Sequence, residues 1–214
     1  MKKYVNLFVF VFMIGACLSQ GRAQTKSAVS YKNPVVDIAM PDPTVIKAAD
    51  GYFYVYATES TRNVPIMKSK DLVEWTYCNT AFTNKTRPRF EPKAGIWAPD
   101  INYINGKYVL YYAMSVWGGE QTCGIGVATA NSPQGPFTDH GKMFRSNEIG
   151  VQNSIDPSLL QYEGRNYLVW GSFRGIYVIE LTADGLSIMS GAKKKRIAGT
   201  AFEAVYIHKH GDYY

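Results

Sequence analysis

Four carboxylates recur along the chain in similar local settings: Asp42 in MPDPTVI, Asp100 in WAPDINYI, Asp156 in SIDPSLL and Glu203 in FEAVYI. Glycoside hydrolysis needs two carboxyl groups flanking one bond, one to protonate the leaving oxygen and one to activate water. A glutamate at the fourth position, where the others have aspartate, suits the acid that must reach the leaving oxygen. A third carboxylate also has a use, because a nearby like charge raises the pKa of a general acid and keeps its proton near neutrality. In this reading Asp42 is the base, Glu203 the acid, and Asp156 the neighbour that keeps Glu203 protonated and oriented. Any one of the four, taken alone, could equally cap a turn by accepting backbone hydrogen bonds. With aromatic residues at 14%, Trp97, Trp117, Trp170 and Phe173 near the repeat heads are candidates to stack on sugar rings, each weighed against a role in the core.

Residues so far apart can share a site only if the chain repeats. Each acid is followed by an apolar run, a turn with a glycine (Gly51, Gly106, Gly164, Gly211), and a second run with an aromatic soon after (Tyr54, Tyr108, Tyr167, Tyr213). This is a repeated β-hairpin. A spacing of roughly 47 to 58 residues between the acids is the period of four-stranded propeller blades, and would bring all four to equivalent places at the start of the innermost strands, around one axis. Proline after Asp42 and Asp156 disfavours helix for the aspartate and suits a strand's first residue. Third strands are predicted at Ile66 to Ser69, Gly124 to Thr129 and Ile176 to Leu181. The basic run Lys193 to Arg196 reads as a solvated loop. No stretch carries a sustained helical period with caps, so the chain is predicted to be all-β.

The N-terminus has Lys2 and Lys3, then an apolar run from Val5 to Cys17. Thirteen residues is too short for a bilayer span of roughly 20 residues, and the order of charge, apolar run and small residues is that of an export signal, residues 1–23. Two exits compete: a lipoprotein-like Ile14-Gly15-Ala16-Cys17, with lipid on Cys17 as the one route to membrane attachment, and cleavage after Ala23. Residues 1–23 hold Lys2, Lys3 and Arg22 and no acid, so their removal leaves 20 basic side chains against 17 acidic. Such a balance gives no footprint for nucleic acid. Cys78 and Cys123 lie in different repeats, as a disulfide or as two unpaired thiols. The last repeat stops inside what should be its second strand, so the chain is expected to be a fragment with about three and a half blades, poorly stable alone and weak or inactive.

MPDPTVI, WAPDI, VQNSIDPSLL, LVWGSFRGIYVIEL and FEAVYI, in this order from about Asn33 to Tyr214, together resemble family 43 glycoside hydrolases, and the third and fourth motifs resemble most the endo-arabinanases of that family. The resemblance implies a five-bladed β-propeller over residues 33–214, an active site in a cleft at one axial end, and hydrolysis with inversion. It implies the roles already argued for Asp42, Asp156 and Glu203, and suggests that Trp97, Asn153 and Ser172 line sugar subsites. Asp100, without a following proline and in the blade whose acid the family does not use, is expected to be structural, and His208 and His210 to face solvent. Inversion requires the two catalytic carboxyls to stand about 6.5 to 9.5 Å apart. No cofactor is needed for the chemistry; a structural calcium near the axis would draw its ligands mainly from sequence beyond Tyr214. The implied substrate is arabinan or arabino-oligosaccharide, cleaved by an exported, monomeric hydrolase of α-1,5 linkages. An exo-acting arabinofuranosidase or β-xylosidase, and a non-catalytic sugar-binding propeller, stand as alternatives.

Overall fold

The structure, a computed structural model, describes residues 30–214. The export signal, Cys17 and the site after Ala23 lie outside the described residues. Among the described residues no helix is long and apolar enough to cross a membrane.

The chain forms three four-stranded antiparallel sheets, each a meander in sequence order. The first holds β1 (Thr44–Lys47), β2 (Phe53–Tyr56), β3 (Pro65–Ser69) and β4 (Thr76–Thr80). The second holds β5 (Gly95–Ile104), β6 (Lys107–Ser115), β7 (Gly124–Ala130) and β8 (Thr138–Arg145). The third holds β9 (Ser158–Tyr162), β10 (Arg165–Trp170), β11 (Ile176–Glu180) and β12 (Lys195–Ala198). The first strands of successive sheets are neighbours, β1 beside β5 and β5 beside β9. The predicted hairpins and third strands are therefore present in these three sheets.

Turn chemistry sets the registers. Ile104 pairs with Lys107 across Asn105-Gly106, and Tyr162 with Arg165 across Glu163-Gly164, with both loop residues at positive φ in each case. That geometry matches the right-handed twist of the flanking strands. The first hairpin is looser: Lys47 pairs with Phe53, and Gly51 at φ 83° closes a longer loop.

The core lies between sheets. Leu110 and Tyr112 of β6 pack toward the first sheet with Tyr54, Tyr56, Ile66 and Phe82, while Val109 and Tyr111 pack toward the third with Leu168, Trp170 and Ile179. Because both faces of β6 are covered, its sequence YVLYYAM is apolar throughout rather than alternating. Burial of each large side chain contributes about 1.5–3 kcal/mol. Gly126 is required by this packing, since a Cβ there would lie 2.4 Å from the Tyr112 ring.

Several expectations are corrected. Trp170 is fully buried, stacked on Tyr177 with its indole N–H donating to Ser154 Oγ at 3.1 Å, so it is a core residue and not a sugar platform. Part of the basic run is the outer strand β12, exposed along one side but hydrogen-bonded to β11. A single helical turn, α1 (Ser146–Ile149), follows β8, where the Glu148 carboxylate accepts from the Arg145 backbone N–H and Gly150 at φ 66° ends it; four residues are too few to show a period. The fourth hairpin does not form as strands. Among residues 202–214 the chain makes only the bridges Ser172↔Glu203 and His210↔Tyr213, because a two-stranded hairpin without a packed sheet beside it has little to hold it. His208 and His210 are exposed, and Cys78 and Cys123 carry free thiols.

Candidate active site

The four repeat heads coincide in backbone conformation, but not at the four acids. Asp42 (φ 49°), Ala98 (φ 39°), Asp156 (φ 56°) and Ala204 (φ 53°) each occupy a left-handed corner. The corner and its two following residues line one cavity of about 410 Å³ in all four repeats: Asp42-Pro43-Thr44, Ala98-Pro99-Asp100, Asp156-Pro157-Ser158 and Ala204-Val205-Tyr206. Asp100 is thus two residues beyond its supposed equivalents and Glu203 one residue before. The strands proper begin at Thr44 and Ser158, so the Asp-Pro aspartates precede the strands and do not start them. Aspartate tolerates the left-handed region better than most residues.

This shift of register decides where each carboxylate goes. Asp42, Asp156 and Glu203 line a second, open cleft of about 530 Å³ with Trp97, Trp117, Asn153, Ser172 and Phe173. Asp100 turns inward, 7% exposed, and its carboxylate accepts from Leu159 N–H at 2.7 Å, Asn102 Nδ2 at 2.7 Å and Thr44 Oγ1 at 3.4 Å. It joins all three sheets, the structural role expected of it. Burial pushes its carboxyl up to about 6, opposed by these donors.

Within the cleft, burial first, then the charge of Glu203, then that of Asp42, push the Asp156 carboxyl up to about 7; the Ala204 backbone N–H opposes this. The charges of Glu203 and Asp42 therefore both act on Asp156. Glu203 is held by the bridge to Ser172, whose Oγ donates to Glu203 Oε2 at 3.0 Å. Asn153 donates from Nδ2 to the Ser172 carbonyl at 3.0 Å, and its backbone N–H to the Glu120 carbonyl at 2.7 Å. Of the predicted subsite residues, Ser172 is 1% exposed and is engaged with Glu203, so its hydroxyl orients the acid more directly than it meets solvent.

Trp97 and Trp117 form an aromatic pair with ring centroids 5.6 Å apart, Trp117 being 94% exposed, and Phe173 opens onto the same cleft. Two features went unpredicted. Glu120, on the loop after β6, makes a forked pair with Arg174 at 3.0 and 3.1 Å that ties the second sheet's loop to the third's. Thr58 donates from Oγ1 to Asp42 Oδ2 at 2.6 Å. Thr58 closes the first repeated unit as Ser115 and Ser172 close the next two, a hydroxyl recurrence that could have pointed to it, whereas Glu120 belongs to no recurring motif. Among the described residues no group of three or more His, Cys, Asp or Glu side chains is gathered as a metal would require.

Comparison with known proteins places this geometry. The chain is 34% identical over 186 residues to the extracellular endo-alpha-(1->5)-L-arabinanase 1 of Bacillus subtilis, covering 81% of this chain and 57% of that protein. Among solved structures, an exo-1,5-alpha-L-arabinanase from a bovine ruminal metagenomic library superposes with TM-score 0.69 at 30% identity, over 85% of this chain and 65% of that one. The Cellvibrio cellulosa alpha-L-arabinanase complexed with arabinohexaose superposes with TM-score 0.66 at 28% identity, over 76% of this chain and 54% of that one. The chain thus spans little more than half the length of the curated relatives it matches. The family profile of glycosyl hydrolases family 43 matches residues 31–214, and with it the chain belongs to that family.

Proposed function

We propose that this chain carries the catalytic carboxylates of an exported hydrolase that cleaves α-1,5-linked arabinofuranosyl bonds with inversion. The observation that carries the reading is the convergence of Asp42, Asp156 and Glu203, from three separate repeats, on one cleft walled by Trp97, Trp117 and Phe173. In this mechanism Asp42 draws a proton from water as it attacks the anomeric carbon, and Glu203 protonates the departing oxygen from the other face. Asp156, coupled to both, sets where the cluster's proton resides, and coupled carboxylates share a titration that belongs to the set. Trp97 and Asn153 contact the sugar, and Ser172 holds Glu203 in place. The arabinanase names of the relatives support the substrate, and the word extracellular in one of them supports export.

The fold in this reading is a five-bladed propeller. Support comes from apolar faces left open at the two ends of the sheet series. Val45, Leu72 and Trp75 line a groove on the first sheet with Val35 and Ile38, and Tyr162 and Ile197 are exposed on the third. Further blades would cover both.

The test is product analysis of the full-length natural protein on linear α-1,5-arabinan, with xylan as the control polymer. Arabino-oligosaccharides, with the anomeric configuration inverted by NMR, are expected. No release from arabinan above the xylan background would refute the assignment. Exo action is a second reading favoured by the ruminal relative's name, and predicts one product of fixed length, or arabinose alone, from the first minutes.

A further inference from the structure

Thr58 follows β2 and is anchored on both sides by the backbone. Its N–H donates to the Pro41 carbonyl at 2.9 Å, and the next residue, Glu59, exchanges bonds with Ile96: Glu59 N–H to the Ile96 carbonyl at 3.1 Å, and Ile96 N–H to Glu59 Oε1 at 3.0 Å. The Glu59 carboxylate is further clamped by Arg87. The Thr58 hydroxyl is thereby fixed between two groups, the Ala98 backbone N–H at 2.6 Å and Asp42 Oδ2 at 2.6 Å.

The direction of these two bonds follows from the donor inventory. A hydroxyl has one proton and two lone pairs, and a backbone N–H can only donate. The Ala98 N–H therefore takes a lone pair of Oγ1, and the single hydroxyl proton is left for Asp42. Hydrogen bonds to a charged acceptor are short and about twice as strong as neutral ones. Asp42 Oδ2 is thus occupied, while Oδ1 has no protein donor among the described residues.

We propose that Thr58 is a positioning residue for the water-activating base: its hydroxyl, committed by the Ala98 N–H, fixes the orientation of the Asp42 side chain through Oδ2 and leaves Oδ1 as the oxygen that takes the proton from the attacking water. Atoms balance simply, since one water proton moves to Oδ1 as the remaining hydroxyl bonds to the anomeric carbon and the leaving oxygen takes its proton from Glu203. This rests on the hydrolase reading above for its chemistry. The hydrogen-bond relay itself does not.

The experiment compares Thr58→Val, which keeps shape and both backbone anchors, with Thr58→Ser, which keeps the hydroxyl, in the full-length natural protein on linear arabinan. For Val, kcat is expected to fall about 10- to 100-fold, the span of one charged hydrogen bond. KM should stay within about twofold, and Ser should restore most of the rate. A defect in KM in place of kcat, or Ser as impaired as Val, would overturn the proposal. A double-mutant cycle in urea unfolding, with Asp42→Asn as the second site, reads the relay without activity. The folding constants should combine non-multiplicatively, and a multiplicative result overturns it. If the wild-type protein cleaves no arabinan while the cycle shows coupling, the hydrolase reading has failed and the relay stands.

Discussion

Asp100 and Asp156 are two aspartates pushed upward by burial, at the heads of neighbouring sheets, with opposite surroundings. Asp100 faces three donors from three sheets, and these pull against the cost of burial. Asp156 faces two further carboxylates, whose charges add to it. Both repeats place a left-handed corner before proline, although Ala98-Pro99 forms an irregularity within β5 while β9 begins only after Asp156-Pro157. What differs is a two-residue displacement of the acid along that shared frame. At the corner a carboxylate opens onto the cleft; two residues on it enters the interior, where only full hydrogen bonding makes it tolerable. The lesson is that an acid in a repeat has a role set by its offset from the corner, and recurrence alone does not assign one.

The widest separation between the two kinds of site should appear in turnover. Asp42→Asn and Glu203→Gln are each expected to lower kcat on arabinan by about 10³-fold, within the range contributed by a positioned acid or base. Retention of a tenth of wild-type activity by either variant would remove it from the chemistry. Asp100→Ala should do the reverse. It strands the Leu159 N–H and the Asn102 amide in the interior, so a loss of about 2–4 kcal/mol of stability is expected by urea unfolding, while kcat measured on the folded fraction stays within a few fold. A large kcat defect in fully folded Asp100→Ala would erase the distinction between the two sites.

Next in size is a pH effect. Asp156 sits at about 7 in the folded protein, against an ordinary carboxyl near 4 in the unfolded chain. Raised in the fold, it contributes stability that is complete below pH 4 and lost as pH rises through about 7. At 1.36 kcal/mol per unit, discounted for partial exposure to solvent, the loss is about 1–3 kcal/mol. Asp156→Asn should abolish the decline between about pH 6 and 7 and reduce that between about pH 4 and 6, where the share due to Asp100 survives. Arabinan cleavage should fall in the same variant. If its stability profile overlays that of the wild type from pH 5 to 8, the coupling among the three carboxylates is absent.

Much of this was readable beforehand because it rests on local patterns. The glycine turns at Gly51, Gly106 and Gly164 and the apolar runs after them give the hairpins directly, and these became β1/β2, β5/β6 and β9/β10. The gathering of Asp42, Asp156 and Glu203 followed from the repeat. The register of the corners did not, because alignment by acid type hides that Ala98 and Ala204 hold the corner positions, and alanine at positive φ has no sequence signature. Trp170 stood open between platform and core for a related reason. Its nearness to a repeat head was visible, but only the fold shows that its ring turns into the core beside Phe144 and Tyr177. Thr58 ends the repeated unit as Ser115 and Ser172 do, but its partners, the corner residue Asp42 and the Ala98 N–H of β5, show only in the fold.

The smallest expected effect probes the frame itself. Thr44 occupies in the first sheet the position that Asp100 occupies in the second, and the two meet: Thr44 Oγ1 lies 3.4 Å from Asp100 Oδ1 and 3.3 Å from the Ile101 N–H. Both distances are long for hydrogen bonds, and Asp100 keeps its 2.7 Å donors from Leu159 and Asn102 when either is lost. Thr44→Val should therefore cost only about 0.5–1 kcal/mol in urea unfolding and leave arabinan turnover unchanged. A cost near that of Asp100→Ala would mean that the contact between first and second sheets, rather than the Leu159 and Asn102 bonds, is what makes the buried carboxylate tolerable, and the contrast with Asp156 would then lie in the packing of whole sheets against one another instead of in the donors around a single side chain.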